Sequence, residues 1–160
     1  MCIQSARRVL TKGKPITVYK VILRCKTLEK EGFRYETPFR GVTVTKEVLS
    51  GKQPFEAGPR LVGDDPESFG VVNSGYIHTY ADLNSVMRDY NYYYLKALEN
   101  NERKVLIYEC EVPADQDHVW HGTFDDDGSL ECIAAKKIIF RHKLTQQEID
   151  SYINFYFAHQ

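Results

Sequence analysis

Apolar positions along this chain change period several times, and each change predicts an element. In "ITVYKVILRC" (16–25) the residues Tyr19, Val21, Leu23 and Cys25 fall on one alternating face. Period two among β-branched residues predicts a strand. "KVLIYECEV" (104–112) repeats the pattern, with Leu106, Tyr108, Cys110 and Val112 on one face, Glu109 and Glu111 on the other, and Pro113 as the stop. "VVNSGYIHTY" (71–80) predicts a shorter strand. The period then lengthens: Leu83, Val86, Met87, Tyr90, Tyr94 and Ala97 lie at helical spacing. They predict one long helix that opens with Thr79 and Asp82 as a capping box and closes near Asn100 and Asn101. "DHVWHGTF" and "LECIAAKKIIFRHKL" predict further strands around a turn at "DDDG". Thr145 and Glu148 form a second capping box. It opens a final helix with Ile149, Tyr152, Ile153 and Tyr156 inward, and Phe155 and Phe157 off that stripe.

Other segments lack a period. Residues 1–15 read as an arm, and "LEKEGFRYETPF" (28–39) as a turn. Residues 40–55 predict a second short strand and one helical turn. Residues 56–70, thick with Gly, Pro and Asp, predict a loop that is either a flap or a connector. The order of strands, helix, strands and helix predicts an α+β domain over 16–160 with a mainly antiparallel sheet, because regular β-α-β alternation is missing.

Composition fits this picture. A chain of 160 residues, 42% hydrophobic and 27% charged, suits one globular domain. No apolar run approaches the roughly 20 residues of a membrane span, and the N-terminus lacks the apolar stretch of a signal peptide. The net charge of −1 hides an asymmetry. Residues 1–60 hold 13 Lys/Arg against 5 Asp/Glu, and residues 61–160 hold 8 against 17. Either the halves neutralise each other on packing, or a basic face awaits a phosphate-bearing ligand. The absence of a Lys/Arg-rich run disfavours nucleic acid as partner. Cys2, Cys25, Cys110 and Cys132 form no C-x-x-C pair, and this spacing fits reduced thiols in a cytoplasm.

Candidate chemistry is sparse. Cys2 would be a nucleophile beside its own α-amine if Met1 were removed, but no glycine-bearing amidotransferase start follows it. Cys110, His118, His121 and Cys132 are types that hold zinc. However, His118 and His121, three apart on a strand, point to opposite faces. "DDDGSLE" (125–131) is too short for a calcium loop. The tyrosines of "DYNYYYLKAL" could stack bases, but at helical spacing they suit a core.

Three stretches, in order, resemble the ADP-ribosyltransferase superfamily. "VYKVIL" (18–23) is similar to the early strand that reads aromatic-His or aromatic-Arg there, with Lys20 in that place. "GYIHTY" (75–80) resembles a Gly-Phe-Ile-His-Leu-Ser junction found in small bacterial proteins related to the fold. "LECIAAKKIIF" (130–140) resembles the late Asn-Glu-Tyr-Ile-Val-Tyr strand, with Glu131 at the catalytic position. Small phage proteins of gut bacteria also look like this, including a strand ending as in "YECEVP" (108–113). Together the motifs cover about a quarter of the chain. The resemblance implies a split sheet gripping NAD, as ligand or substrate. Tyr19 and Lys20 would lie at phosphate, His78, Thr79 and Tyr80 at ribose, and Glu131 would stabilise an oxocarbenium ion as the catalytic residue. The missing Ser-Thr-Ser and the Lys at the His/Arg position favour a nucleotide-binding or degenerate member over an active enzyme, which would be an ADP-ribosyltransferase or an NAD glycohydrolase. The alternative is a phage accessory protein in a host cytoplasm. It would bind a host protein or sequester a signalling nucleotide, and could self-associate through the C-terminal helix.

Overall fold

Two long strands form the centre. β2 (Ile16–Lys26) and β6 (Arg103–Val112) pair antiparallel over ten register positions, from Ile16↔Val112 to Cys25↔Arg103. β6 pairs next with β9 (Lys137–Lys143), and β9 with the short edge strand β4 (Phe55–Glu56). β3 (Phe33–Glu36) folds back on β2 as a hairpin. On its other side β2 meets β5 (Ile77–Tyr80) at one register pair, Tyr19↔Tyr80. Beyond β5 the sheet continues through β8 (Glu131–Ala135), β7 (His118–Thr123) and β1 (Ser5–Leu10). The computed structural model describes residues 3, 5–28, 32–58, 75–93, 95–124 and 128–157, and among them nine strands form this antiparallel sheet. With its helices, the molecule is an α+β domain. No helix among the described residues is long and apolar enough to cross a membrane.

Both faces of the sheet are covered. On one, Val21, Leu23, Val105, Ile107, Cys132 and Ala134 pack with Val86 and Met87 of α2 (Leu83–Arg88) and with Ile149 and Phe157 of α3 (Gln146–Phe157). On the other, Val18, Ile22, Tyr108, Cys110, Ile138 and Phe140 pack with Val44 and with Val48 and Leu49 of α1 (Lys46–Leu49). This division follows from the alternation seen in β2 and β6. It also puts Cys110 and Cys132 on opposite faces.

Several expectations change. Residues 5–10 of the supposed arm are β1, hydrogen-bonded to β7, and within 28–39 the residues Phe33–Glu36 form β3. The strand expected within 40–55 reduces to a single bridge, Glu36↔Thr43, and to β4. The long helix is broken: α2 passes into a π-turn at Asp89–Tyr93 and a 3₁₀ turn at Leu95–Leu98. A wider π-turn resets the phase of a helical stripe. Leu95, off the expected stripe, is fully buried as a result. The cap of α2 is Asp82, which accepts from the Ser85 amide at 2.7 Å, whereas Thr79 belongs to β5. The second capping box is reciprocal: Thr145 Oγ1 accepts from the Glu148 amide at 3.1 Å, and Glu148 Oε1 accepts from the Thr145 amide at 3.0 Å. On α3, Phe157 is buried and Tyr156 is half exposed, the reverse of the expected stripe, while Phe155 is 74% exposed. Cys2, the 59–70 part of the expected loop and the "DDD" of the expected turn lie outside the described residues.

Gly51, just after α1, holds a left-handed φ of 82°, and a Cβ built there would stand 2.7 Å from the Phe140 carbonyl oxygen. Alanine would meet both the backbone penalty and a rigid oxygen. Gly51→Ala should therefore lower stability by about 2 kcal/mol or more, read as a fall in the urea midpoint at unchanged slope.

Candidate functional site

β2 and β5 touch at Tyr19↔Tyr80 and share no further register pair. A cavity of about 150 Å³ opens where they diverge. Lys20 and Val21 line it from β2, and Tyr76, Ile77, His78 and Tyr80 from β5 and the residue before it. The turn after β3 adds Phe39 and Arg40, β4 adds Phe55 and Glu56, and Phe124 follows from the end of β7.

Lys20 reaches this space from the Val18–Ile22 face of β2. Its Nζ donates to the His78 carbonyl at 2.8 Å, tying the diverging strands together. The residue as a whole is half-buried, but its amine lies deep among protein atoms. Burial is the main reason that the amine is pushed down to about 8; the Cys110 sulfur opposes this and the Arg40 guanidinium adds to it. Desolvation disfavours the charged amine. Burial likewise pushes the neighbouring Cys110 thiol up to about 12, so it stays protonated at neutral pH.

The aromatic wall is ordered by contacts. The Phe124 ring centroid lies 5.1 Å from that of Tyr80, edge-on, and 6.3 Å from the His78 ring. The Tyr80 hydroxyl donates to the carboxylate of Asp89, a fully buried residue. Phe39 has a left-handed φ of 70°, which is uncommon for a bulky side chain. The turn that carries it is pinned by the Thr37 amide to the Val42 carbonyl at 2.9 Å and by the Val42 amide to Thr37 Oγ1 at 3.1 Å.

The structure brings Lys20, His78 and Tyr80 to one cavity and leaves three other expected residues outside its lining. Tyr19 points to the opposite face of β2, where burial and the Glu109 charge raise its phenol. Thr79 is fully buried and donates to the Ile133 carbonyl at 2.8 Å. Glu131, at the exposed start of β8, is tied to the start of α2 instead. Its amide donates to Ser85 Oγ at 3.0 Å, and its carboxylate lies 3.7 Å from His121 Nε2. A hydrogen bond with Asp82 is the largest cause that raises the Glu131 carboxyl; burial and the Asp82 charge add to it, and His121 opposes. Sequence reasoning missed Phe39, Arg40 and Phe55. They stand in aperiodic segments, and only the β3 hairpin and the β4–β9 pairing carry them to the cavity.

No family model, curated protein or solved structure matches the chain. The chemistry of the site therefore rests on its own residues: Lys20, held by the His78 carbonyl, with Arg40 and aromatic side chains on the same lining. Such a set suits a ligand with an anionic group and a flat ring.

Proposed function

We propose that the β2–β5 cavity binds a nucleotide of the NAD or ADP-ribose type and that the protein performs no transfer on it. The observation that carries this is the meeting of Lys20 and His78, from separate strands, with Arg40 in one aromatic-lined cavity. A space of about 150 Å³ accommodates one ring. The base or the nicotinamide is enclosed, and the phosphates lie at the mouth near Arg40, whose guanidinium offers a planar fork of N–H donors. An antiparallel sheet that opens between β2 and β5 also supports the ADP-ribosyltransferase resemblance. Glu131, the carboxylate that the resemblance assigns to transfer, lies outside the lining. Glu56, on the lining, is exposed, and water weakens what its charge can do for a developing cation.

Titration calorimetry with NAD and with ADP-ribose tests the reading. A saturable heat is expected for at least one of them. Losing the Lys20 hydrogen bond in Lys20→Met should weaken it by about tenfold, while Glu131→Gln leaves it unchanged and no nicotinamide is released. No heat at millimolar ligand would remove the proposal. Nicotinamide release that Glu131→Gln abolishes would replace it with a transferase.

A further inference from the structure

The neighbours of Lys20 suit chemistry as well as binding. Among the described residues its Nζ donates to a peptide carbonyl, that of His78. That acceptor positions the amine but provides no counter-charge, and it holds a neutral amine as it holds an ammonium. Cys110 stays a neutral thiol at pH 7, so Arg40 is the charged group that acts on Lys20, and among the described residues no carboxylate is. The amine also lines a cavity, so a small molecule can reach it. A desolvated lysine beside a second cation is the arrangement in which an amine becomes a nucleophile toward carbonyl carbon.

We propose that Lys20 captures a small carbonyl compound bearing a carboxylate, such as a 2-oxo acid, as an imine in the β2–β5 cavity. The Nζ lone pair attacks the carbonyl carbon, and the C=O π pair moves to oxygen, which takes up a proton. The resulting carbinolamine loses that oxygen as water while nitrogen gives up its remaining protons, and the C=N bond forms. Amine and carbonyl thus become imine and water, with no change of oxidation state. Arg40 is the group on the lining whose planar fork matches the substrate carboxylate. His78, also on the lining, holds the amine through its carbonyl, and the protons exchange with solvent. Phe39, Phe55, Tyr76 and Phe124 cover the cavity with apolar surface. This goes beyond nucleotide binding and does not depend on it.

With the amine near 8, about one in ten is uncharged at pH 7, against fewer than about one in a thousand for an ordinary lysine. The experiment treats the folded chain with glyoxylate and cyanoborohydride at pH 7, which converts imines to stable secondary amines. Digestion and mass spectrometry then give the rate at each lysine. Lys20 should be labelled about tenfold faster than the mean of the other lysines, and the lead should vanish in urea. Acetaldehyde, which lacks a carboxylate, should show a smaller lead. A Lys20 rate at or below the mean in the folded protein would overturn the imine. An equal lead with both aldehydes would overturn the carboxylate requirement assigned to Arg40.

Discussion

Phe140→Ala should lower the free energy of unfolding by about 3–5 kcal/mol. Phe140 is the largest fully buried side chain among the described residues and belongs to the core on the Val18–Ile22 face. Its ring meets Tyr108 edge-on at 5.1 Å and Phe55 at 6.1 Å. Truncation removes the transfer energy of the ring and leaves a cavity between β6 and β4, which the paired β6–β9 backbone prevents from collapsing. Because Phe55 also lines the β2–β5 cavity, the variant should lose ligand affinity together with stability. Phe155→Ala, at an exposed position of α3, should shift stability by no more than about 0.5 kcal/mol. Urea unfolding of the two variants checks the contrast, and similar midpoints for both would contradict the placement of Phe140.

Lys20→Met should show a stability difference from the wild type that depends on pH. The folded amine titrates near 8 and the unfolded one near the ordinary lysine value. Between these points the unfolded chain holds a proton that the folded chain has lost, so wild-type stability gains as pH rises through this window. The gain is at most about 3 kcal/mol, at 1.36 kcal/mol per pH unit of displacement. Methionine fills a similar volume and has no proton to lose. Its stability relative to wild type should therefore be highest at pH 7 and fall steadily toward pH 10.5. The raised phenols of Tyr19, Tyr90 and Tyr108 act in the opposite direction on each curve, because folded tyrosines keep protons that unfolded ones release. They act on both proteins and so leave the difference largely intact. Unfolding in urea at the two pH values measures it, and a difference that does not change with pH would contradict the enclosed amine.

The parts of the fold legible in the sequence are those with a local cause. β2 and β6 carry long alternating patterns, and α3 carries a capping box whose two hydrogen bonds form as spaced. β1 was not legible, because "SARRVL" places Arg7 and Arg8 at an edge and becomes a strand only through β7, more than a hundred residues later. The break after α2 was hidden in the same way, since a helical stripe does not report that Asp89 is buried and accepts from Tyr80 of a neighbouring strand. At the site, Lys20 and His78 were found by resemblance. Tyr19 and Thr79 could not be separated from them, because a one-residue step along a strand reverses the face. Arg40 and Phe39 come from a turn whose left-handed backbone at Phe39 has no marker such as glycine at that position.

One amine, held inside the β2–β5 opening, joins the binding site and the imine. Heteronuclear NMR of lysine side chains, with the Lys20 signal identified by its loss in Lys20→Met, follows that amine directly through pH. A midpoint near 8, well separated from the other lysines, is the predicted result. A Lys20 signal that titrates together with the other lysines, near about 10.4, would contradict it.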